Sequence, residues 1–176
     1  MRIWALSDLH LSFGVPNKTM DPFGPEWKDH AAKIKTSWDG QVSPEDLVLI
    51  PGDISWAMRL AEAMPDLQWI HERPGTKVII KGNHDYWWGS LKKVREALPR
   101  SIHAIQNDAI CFGDIAIGGA KLTDSPEYTF DQIIECKPNP KAREEVLLLG
   151  MRFLMKQGCT RILWQPWMDI RRIAFL

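Results

Sequence analysis

The sequence predicts an α/β fold, a parallel sheet covered by helices, and three observations carry that expectation. Short apolar, partly β-branched runs recur at residues 2–6, Leu47–Ile50 and 77–81. Longer segments between them place apolar residues at three-and-four spacing, the pattern of a helix with one buried face. The run Leu47-Val48-Leu49-Ile50 is apolar without alternation, as expected of a strand covered on both faces. Strand, helix, strand, helix, strand in that order is the signature of parallel crossover units.

Residues 2–6 read as the first strand, and Ser7-Asp8-Leu9-His10 follows it directly. In an extended chain, residues two apart point the same way, so Asp8 and His10 present a carboxylate and an imidazole to one side while Leu9 packs behind. Residues 13–24, rich in Pro, Gly, Asn and Asp, read as a long loop. Loops of that length in compact domains often carry function. Residues 26–39 are expected as a helix buried on Trp27, Ala31, Ile34 and Trp38, with His30 beside that face.

The second strand ends in Pro51-Gly52-Asp53, where a glycine permits a tight turn and a carboxylate is delivered at its tip. Residues 55–72 read as a helix, capped by Ser55 and broken into two pieces at Pro65. The third strand, residues 77–81, ends in Gly82-Asn83-His84-Asp85, followed by Tyr86-Trp87-Trp88. Residues 90–98 read as a third helix buried on Leu91, Val94 and Leu98. Beyond residue 102 the texture changes. Two short runs flank Gly113-Asp114, which suits a tight hairpin whose first turn residue has positive φ, so this part is at least partly antiparallel.

With 176 residues the chain suits one domain with a real core. Twenty-two basic residues balance twenty-two acidic ones, which leaves no global field for nucleic acid or an anionic membrane. A single-stranded nucleic-acid binder using the tryptophans is therefore a distant option. The first eleven residues lack the apolar core of a signal peptide, and no later run approaches a membrane span. A cytoplasmic protein without a membrane partner is the expectation. Cys111, Cys136 and Cys159 form no CxxC pair and read as reduced thiols.

Singly, DxH, GD and GNHD are weak signals that usually mark turns. Together they weigh more. Each falls just after a different strand with one crossover between neighbours, so a parallel sheet brings Asp8, His10, Asp53, Asn83, His84 and Asp85 to one edge, where open α/β sheets bind ligands. Carboxylate, amide oxygen and imidazole suit a divalent cation and do not distinguish manganese, iron, zinc or magnesium.

The series SDLH at residues 7–10, PGD at 51–53 and GNHD at 82–85 resembles the calcineurin-like metallophosphoesterases, a superfamily of two-metal phosphate-ester hydrolases. The runs PGDISWAM and GNHDYWW resemble a bacterial branch of predicted phosphoesterases within it. The resemblance covers roughly residues 1–135. It implies a four-layer α/β/β/α sandwich and hydrolysis of a phosphate mono- or diester, in a phosphorylated small molecule or a nucleotide-type substrate. By resemblance, Asp8 and His10 bind the first metal, Asp53 bridges both, and Asn83 binds the second. His84 is the general acid, and Asp85 orients its ring. Trp56, Trp87 and Trp88 are candidates to wall the cleft, with core packing expected of at least one.

The family pattern also calls for three further histidines downstream, and no histidine follows His103. Residues 145–176 read as a divergent tail: residues 146–149 are apolar all round, and Ile162 to Trp164 runs into Gln165-Pro166-Trp167 where a histidine-bearing loop is expected. The expectation is a sandwich incomplete on its C-terminal side, from truncation or a frame shift rather than true variation. It holds one metal loosely where the family holds two, and its turnover is near background. The alternative role is a metal- and phosphate-binding module.

Overall fold

The computed structural model describes residues 1–120 and the strand Arg161–Leu163. The described residues fall into two compact units, one spanning Met1–Ala104 and the other starting at Ile105. The first is the α/β unit the sequence predicts. Its strands β1 (Ile3–Ala5), β2 (Leu47–Ile50), β3 (Thr76–Ile79) and β4 (Ile102–Ala104) lie side by side in that order, all parallel. The crossovers carry α1 (His30–Gln41), α2 (Leu60–His71) and α3 (Leu91–Ala97).

The core is one cluster. It joins Val48, Ile50 and Ile79 of the sheet to Trp38 of α1, Ala63, Leu67 and Ile70 of α2 and Val94 of α3. Burying each of the Val, Leu and Ile side chains among these contributes about 1.5–3 kcal/mol, which holds short strands in place that would not persist alone. Among the described residues, no helix is long and apolar enough to cross a membrane.

Two helices depart from expectation. The start of the first is a 3-10 turn, Pro25–Trp27, and the α-helix begins only after Asp29, whose φ of 54° is left-handed. Trp27 is thereby left off the helix, while Ala31, Ile34 and Trp38 pack on the core as expected. The second helix starts five residues later than Ser55 and runs unbroken through Pro65. Glu62 caps it by accepting from the backbone N–H groups of Met58 and Arg59, both at 3.1 Å. Ser55 is withheld from the helix because its backbone and side chain bond elsewhere, as described below. The third helix forms where expected, and the Ser90 hydroxyl caps it by accepting from Lys93 N.

In the second unit, β5 (Asp108–Phe112) and β6 (Ile115–Gly119) form the expected antiparallel hairpin, with Gly113 at φ 60° in the turn. β7 (Arg161–Leu163) pairs with β6 in parallel. The rest of the tail beyond residue 145 lies outside the described residues, as does the segment through residue 135. Cys111, expected as a reduced thiol, is disulfide-bonded. A disulfide depends on the spatial approach of two Cβ atoms, which sequence spacing does not reveal.

Candidate metal centre

The three motifs meet at the carboxyl edge of the parallel sheet. Beyond the strand ends the chain continues in register: Asp8 N donates to Gly52 O, His10 N to Asp53 O, Leu11 N to Ile54 O, and Trp56 N to Leu11 O, at 2.9–3.2 Å. Loop 7–11 and loop 51–56 are thus laced together by their backbones. His30 adds a brace, its Nε2 lying 3.0 Å from Leu9 O.

Asp8, His10 and Asp53 have φ values of 57°, 43° and 52°. Non-glycine residues avoid this left-handed region, and each such residue costs on the order of 1–3 kcal/mol unless its surroundings impose it. Three of the five such residues among those described are the predicted ligands. Asp8 and His10 therefore converge through left-handed turns, whereas the sequence suggested the alternation of an extended strand. Leu9 still packs behind, fully buried.

Two glycines make the third motif fit. A Cβ on Gly52 would lie 2.5 Å from Gly82 Cα, and one on Gly82 would lie 2.1 Å from Asp53 Oδ1 and 2.2 Å from Asp53 N. Bare backbone on both sides lets the loops touch, and His84 N then donates to Asp53 Oδ1 at 2.9 Å.

The donor geometry follows from these bonds. Asp8 spends one oxygen on the Ser7 hydroxyl, and Asp53 spends one on His84 N. Their other oxygens face His10 Nε2 at 3.9 and 4.0 Å. These separations are too long for hydrogen bonds. They suit donors arranged around one cation, because ligand distances near 2.1 Å put neighbouring donors roughly 3–4 Å apart. One donor atom from each of the three residues lies within 4.8 Å of the others. Burial lowers the pKa of His10, against the pull of Asp53 and Asp8, so its imidazole is neutral and keeps a lone pair for a metal. Its Nδ1 is buried without a partner. The Asp8 side chain is 42% exposed while those of His10 and Asp53 are 11% exposed, so the cluster opens to solvent on the Asp8 side. The residues present fit a divalent cation.

Asn83 is exposed, between Gly82 and His84, both of which touch Asp53. The His84 ring stands half-buried, with centroids 5.9 Å from His10 and 5.6 Å from Trp56. Asp85, expected to orient that ring, is engaged elsewhere. Fully buried, it accepts from Gly82 N at 2.8 Å, Ile54 N and Trp87 Nε1 at 2.9 Å, and Ser55 N at 3.3 Å. It ties the second motif to the third by their backbones, and desolvation raises its pKa against these four bonds.

Ser55 carries the tie one step further. Its hydroxyl donates to Asp66 Oδ2, while Phe13 N donates to Asp66 Oδ1 at 2.7 Å, so a buried carboxylate on α2 also fastens the loop after the first motif. Asp66 was missed in the sequence, although it interrupts the stripe Ala63, Leu67, Ile70, and a charge at a core position signals a buried task. Of the tryptophans, Trp87 and Trp88 are core, while Trp56 is half-buried and stacks on His10 at 4.6 Å and 22°.

A family model described as calcineurin-like phosphoesterase matches residues 1–150. The Gene 66 protein of Mycobacterium phage D29 is similar, 41% identical over 83 residues, which are 47% of this chain and 40% of that protein. The Gene 66 protein of Mycobacterium phage L5 is 36% identical over 82 residues, 47% of this chain and 39% of the relative. These matches thus span about two fifths of the length of the curated relatives. Among solved structures, the protein of unknown function AQ665 from Aquifex aeolicus is similar over 98% of this chain and 82% of its own, with a TM-score of 0.45 and 19% identity.

Proposed function

The chain belongs to the calcineurin-like phosphoesterases, and from that premise we propose that it hydrolyses phosphate mono- or diesters with divalent cations held at the carboxyl edge of its parallel sheet. The observation that carries this reading is the meeting of Asp8, His10 and Asp53, each in a left-handed backbone, with free donor atoms turned toward one another. When bound, divalent cations supply electrostatic stabilisation of phosphate oxygens and lower the pKa of a water.

The chain's own groups do the rest. Asp8 Oδ1, His10 Nε2 and Asp53 Oδ2 would hold a cation, with Asp53 the carboxylate shared between the second and third motifs. Asn83 would add an amide oxygen from the third motif. His84, held by its backbone bond to Asp53, is assigned to protonate the departing ester oxygen, a role worth roughly 10²- to 10⁴-fold in other enzymes. Trp56 shields the neutral imidazole of His10 from water on one ring face. The substrate is a phosphorylated small molecule or a nucleotide-type compound, and manganese, iron, zinc and magnesium all suit the donors.

One observation favours a second reading. No histidine follows His103 in the 176 residues, and among the described residues one cluster of His, Cys, Asp and Glu is arranged for a metal. In that reading the chain holds a single cation weakly and turns over near background, as a metal- and phosphate-binding module.

Manganese titration of the 176-residue chain, run beside hydrolysis of bis(p-nitrophenyl) phosphate, separates the two. Two equivalents bound, with hydrolysis lost in His84→Ala, establish the two-metal enzyme. One weak equivalent with background hydrolysis establishes the module. No divalent binding at all overturns both.

A further inference from the structure

Asp66 is a carboxylate at a position that the core would fill better with an apolar side chain. It lies fully buried on α2, in the stripe of Ala63, Leu67 and Ile70, and no cationic side chain among the described residues pairs with it. Burying a carboxyl group there costs stability that an apolar residue would not lose, and desolvation raises its pKa. What its oxygens hold lies outside the helix.

Each oxygen takes a different loop. Oδ1 accepts from Phe13 N at 2.7 Å, just past the loop that carries Asp8 and His10, and Oδ2 accepts from the Ser55 hydroxyl, in the loop that carries Asp53. A Cβ on Gly14 would run into the Glu62 carbonyl, so the first loop also lies directly against the first turn of α2. At their near ends the two loops are fixed by β1 and β2, which pair with each other. At their far ends the last backbone bridge, Leu11 with Ser55, lies between the two bonds that Asp66 accepts. His10 and Asp53 sit between these fixed ends with left-handed φ, and such a conformation persists only where the surroundings over-determine it.

We infer that Asp66 is a positioning residue of the metal centre: one carboxylate on α2 fixes the far ends of both ligand-bearing loops and so sets the separation of His10 Nε2 and Asp53 Oδ2. This inference deepens the phosphoesterase reading and rests on it for the cation. Groups that orient metal ligands without touching the metal are typically worth roughly 10- to 100-fold in metal affinity.

The test pairs manganese calorimetry with amide hydrogen exchange of the metal-free chain, read at His10 and Leu11, whose N–H groups bond the second loop, relative to Val78 in β3. Asp66→Leu keeps the apolar stripe continuous and removes both bonds. It is expected to weaken manganese by roughly 10- to 100-fold and to speed exchange at His10 and Leu11 relative to Val78. Ser55→Ala deletes one bond without adding bulk and is expected to do the same to a smaller degree. Asp66→Asn keeps an oxygen for Phe13 N and turns an N–H toward the Ser55 hydroxyl, so it restores most of the affinity. Asp46→Ala, buried at the opposite edge of the sheet, is the control: it lowers stability and leaves both readouts as in the parent. Manganese affinity or relative exchange unchanged in Asp66→Leu overturns the inference, as does the same result in Ser55→Ala should Asp66→Leu fail to fold. An equal loss of affinity in Asp46→Ala overturns it too, because general destabilisation then suffices. A parent that binds no manganese defeats the phosphoesterase reading instead, and the exchange comparison alone then decides whether Asp66 fixes the two loops.

Discussion

Asp46 and Asp85 sit at opposite edges of the same parallel sheet and have nearly the same partners, yet they do different things. Asp46, just before β2, accepts from two backbone N–H groups, those of Arg2 and Ser43, and from the Trp4 indole. Asp85, past the end of β3, accepts from three backbone N–H groups and the Trp87 indole. The Trp4 bond, then the Arg2 backbone, hold the Asp46 carboxyl far below the usual carboxylate range, with the Arg2 guanidinium assisting. At Asp85 no cationic side chain among the described residues is within bonding reach, and desolvation wins. One edge uses its buried carboxylate to stabilise the fold. The other accepts a desolvation cost and three left-handed residues in order to aim donor atoms at one point, the pattern expected where function conflicts with stability.

Substitutions can break this contrast, and the largest effect is expected from Asp53→Asn. It removes the carboxylate shared by the motifs, and manganese affinity should fall with activity, the latter by about 10²- to 10³-fold as for loss of one electrostatic contributor elsewhere. Gly82→Ala should come next. Its added Cβ meets the backbone and carboxylate of Asp53 at 2.1–2.2 Å, so calorimetry should show manganese binding lost together with a lower unfolding temperature. A variant that binds manganese normally would show that the two loops do not need this contact.

Asp85→Asn tests the tie itself. An amide cannot accept on both sides, so one N–H of Gly82 or Ile54 is left facing a donor, at a cost of about 1–3 kcal/mol in urea unfolding. Asp46→Ala should also destabilise, and here pH gives the sign. Because the folded-state pKa is depressed, its contribution is present at neutral pH and is lost as the pH falls below the ordinary carboxylate range near 4. The parent and the variant should therefore converge in acid. If their difference stays constant with pH, packing rather than charge explains it.

The smallest effect should come from Lys77, which is fully buried in β3 and bonds the carbonyls of His71 and Arg73 at the end of α2. Burial, reinforced by Arg73, lowers its pKa from 10.5 to about 8. Between those values the unfolded chain binds more protons than the folded one, so stability should rise with pH from about 8 to 10.5 in the parent and stay flat in Lys77→Met. A flat profile in both would mean that Lys77 remains charged when buried.

Much of this was legible in the sequence because its signals are local. The strand β2 and the hairpin turn at Gly113 each follow from a handful of adjacent residues. The α/β order followed from alternating periodicities, and the gathering of Asp8, His10 and Asp53 at one edge followed from topology alone, since parallel strands joined by crossovers end on the same side.

Only the tertiary structure decided how the gathering is achieved. Ser55 looked like a helix cap, but its N–H and hydroxyl are claimed by Asp85 and Asp66, residues 30 and 11 positions away, and these buried bonds together outweigh a capping preference of about 1 kcal/mol. Pro65 looked like a break, yet α2 packs its apolar face into the core and runs through it. By resemblance Asp85 was expected to orient the His84 ring, whereas its carboxylate accepts from the backbone of Gly82, Ile54 and Ser55. The residue types and their order determined which chemistry this edge can offer. Which oxygen of Asp53 stays free depended on His84, 31 positions away, and which ring faces His10 depended on Trp56 in a different loop, contacts for which a single sequence carries no local signal.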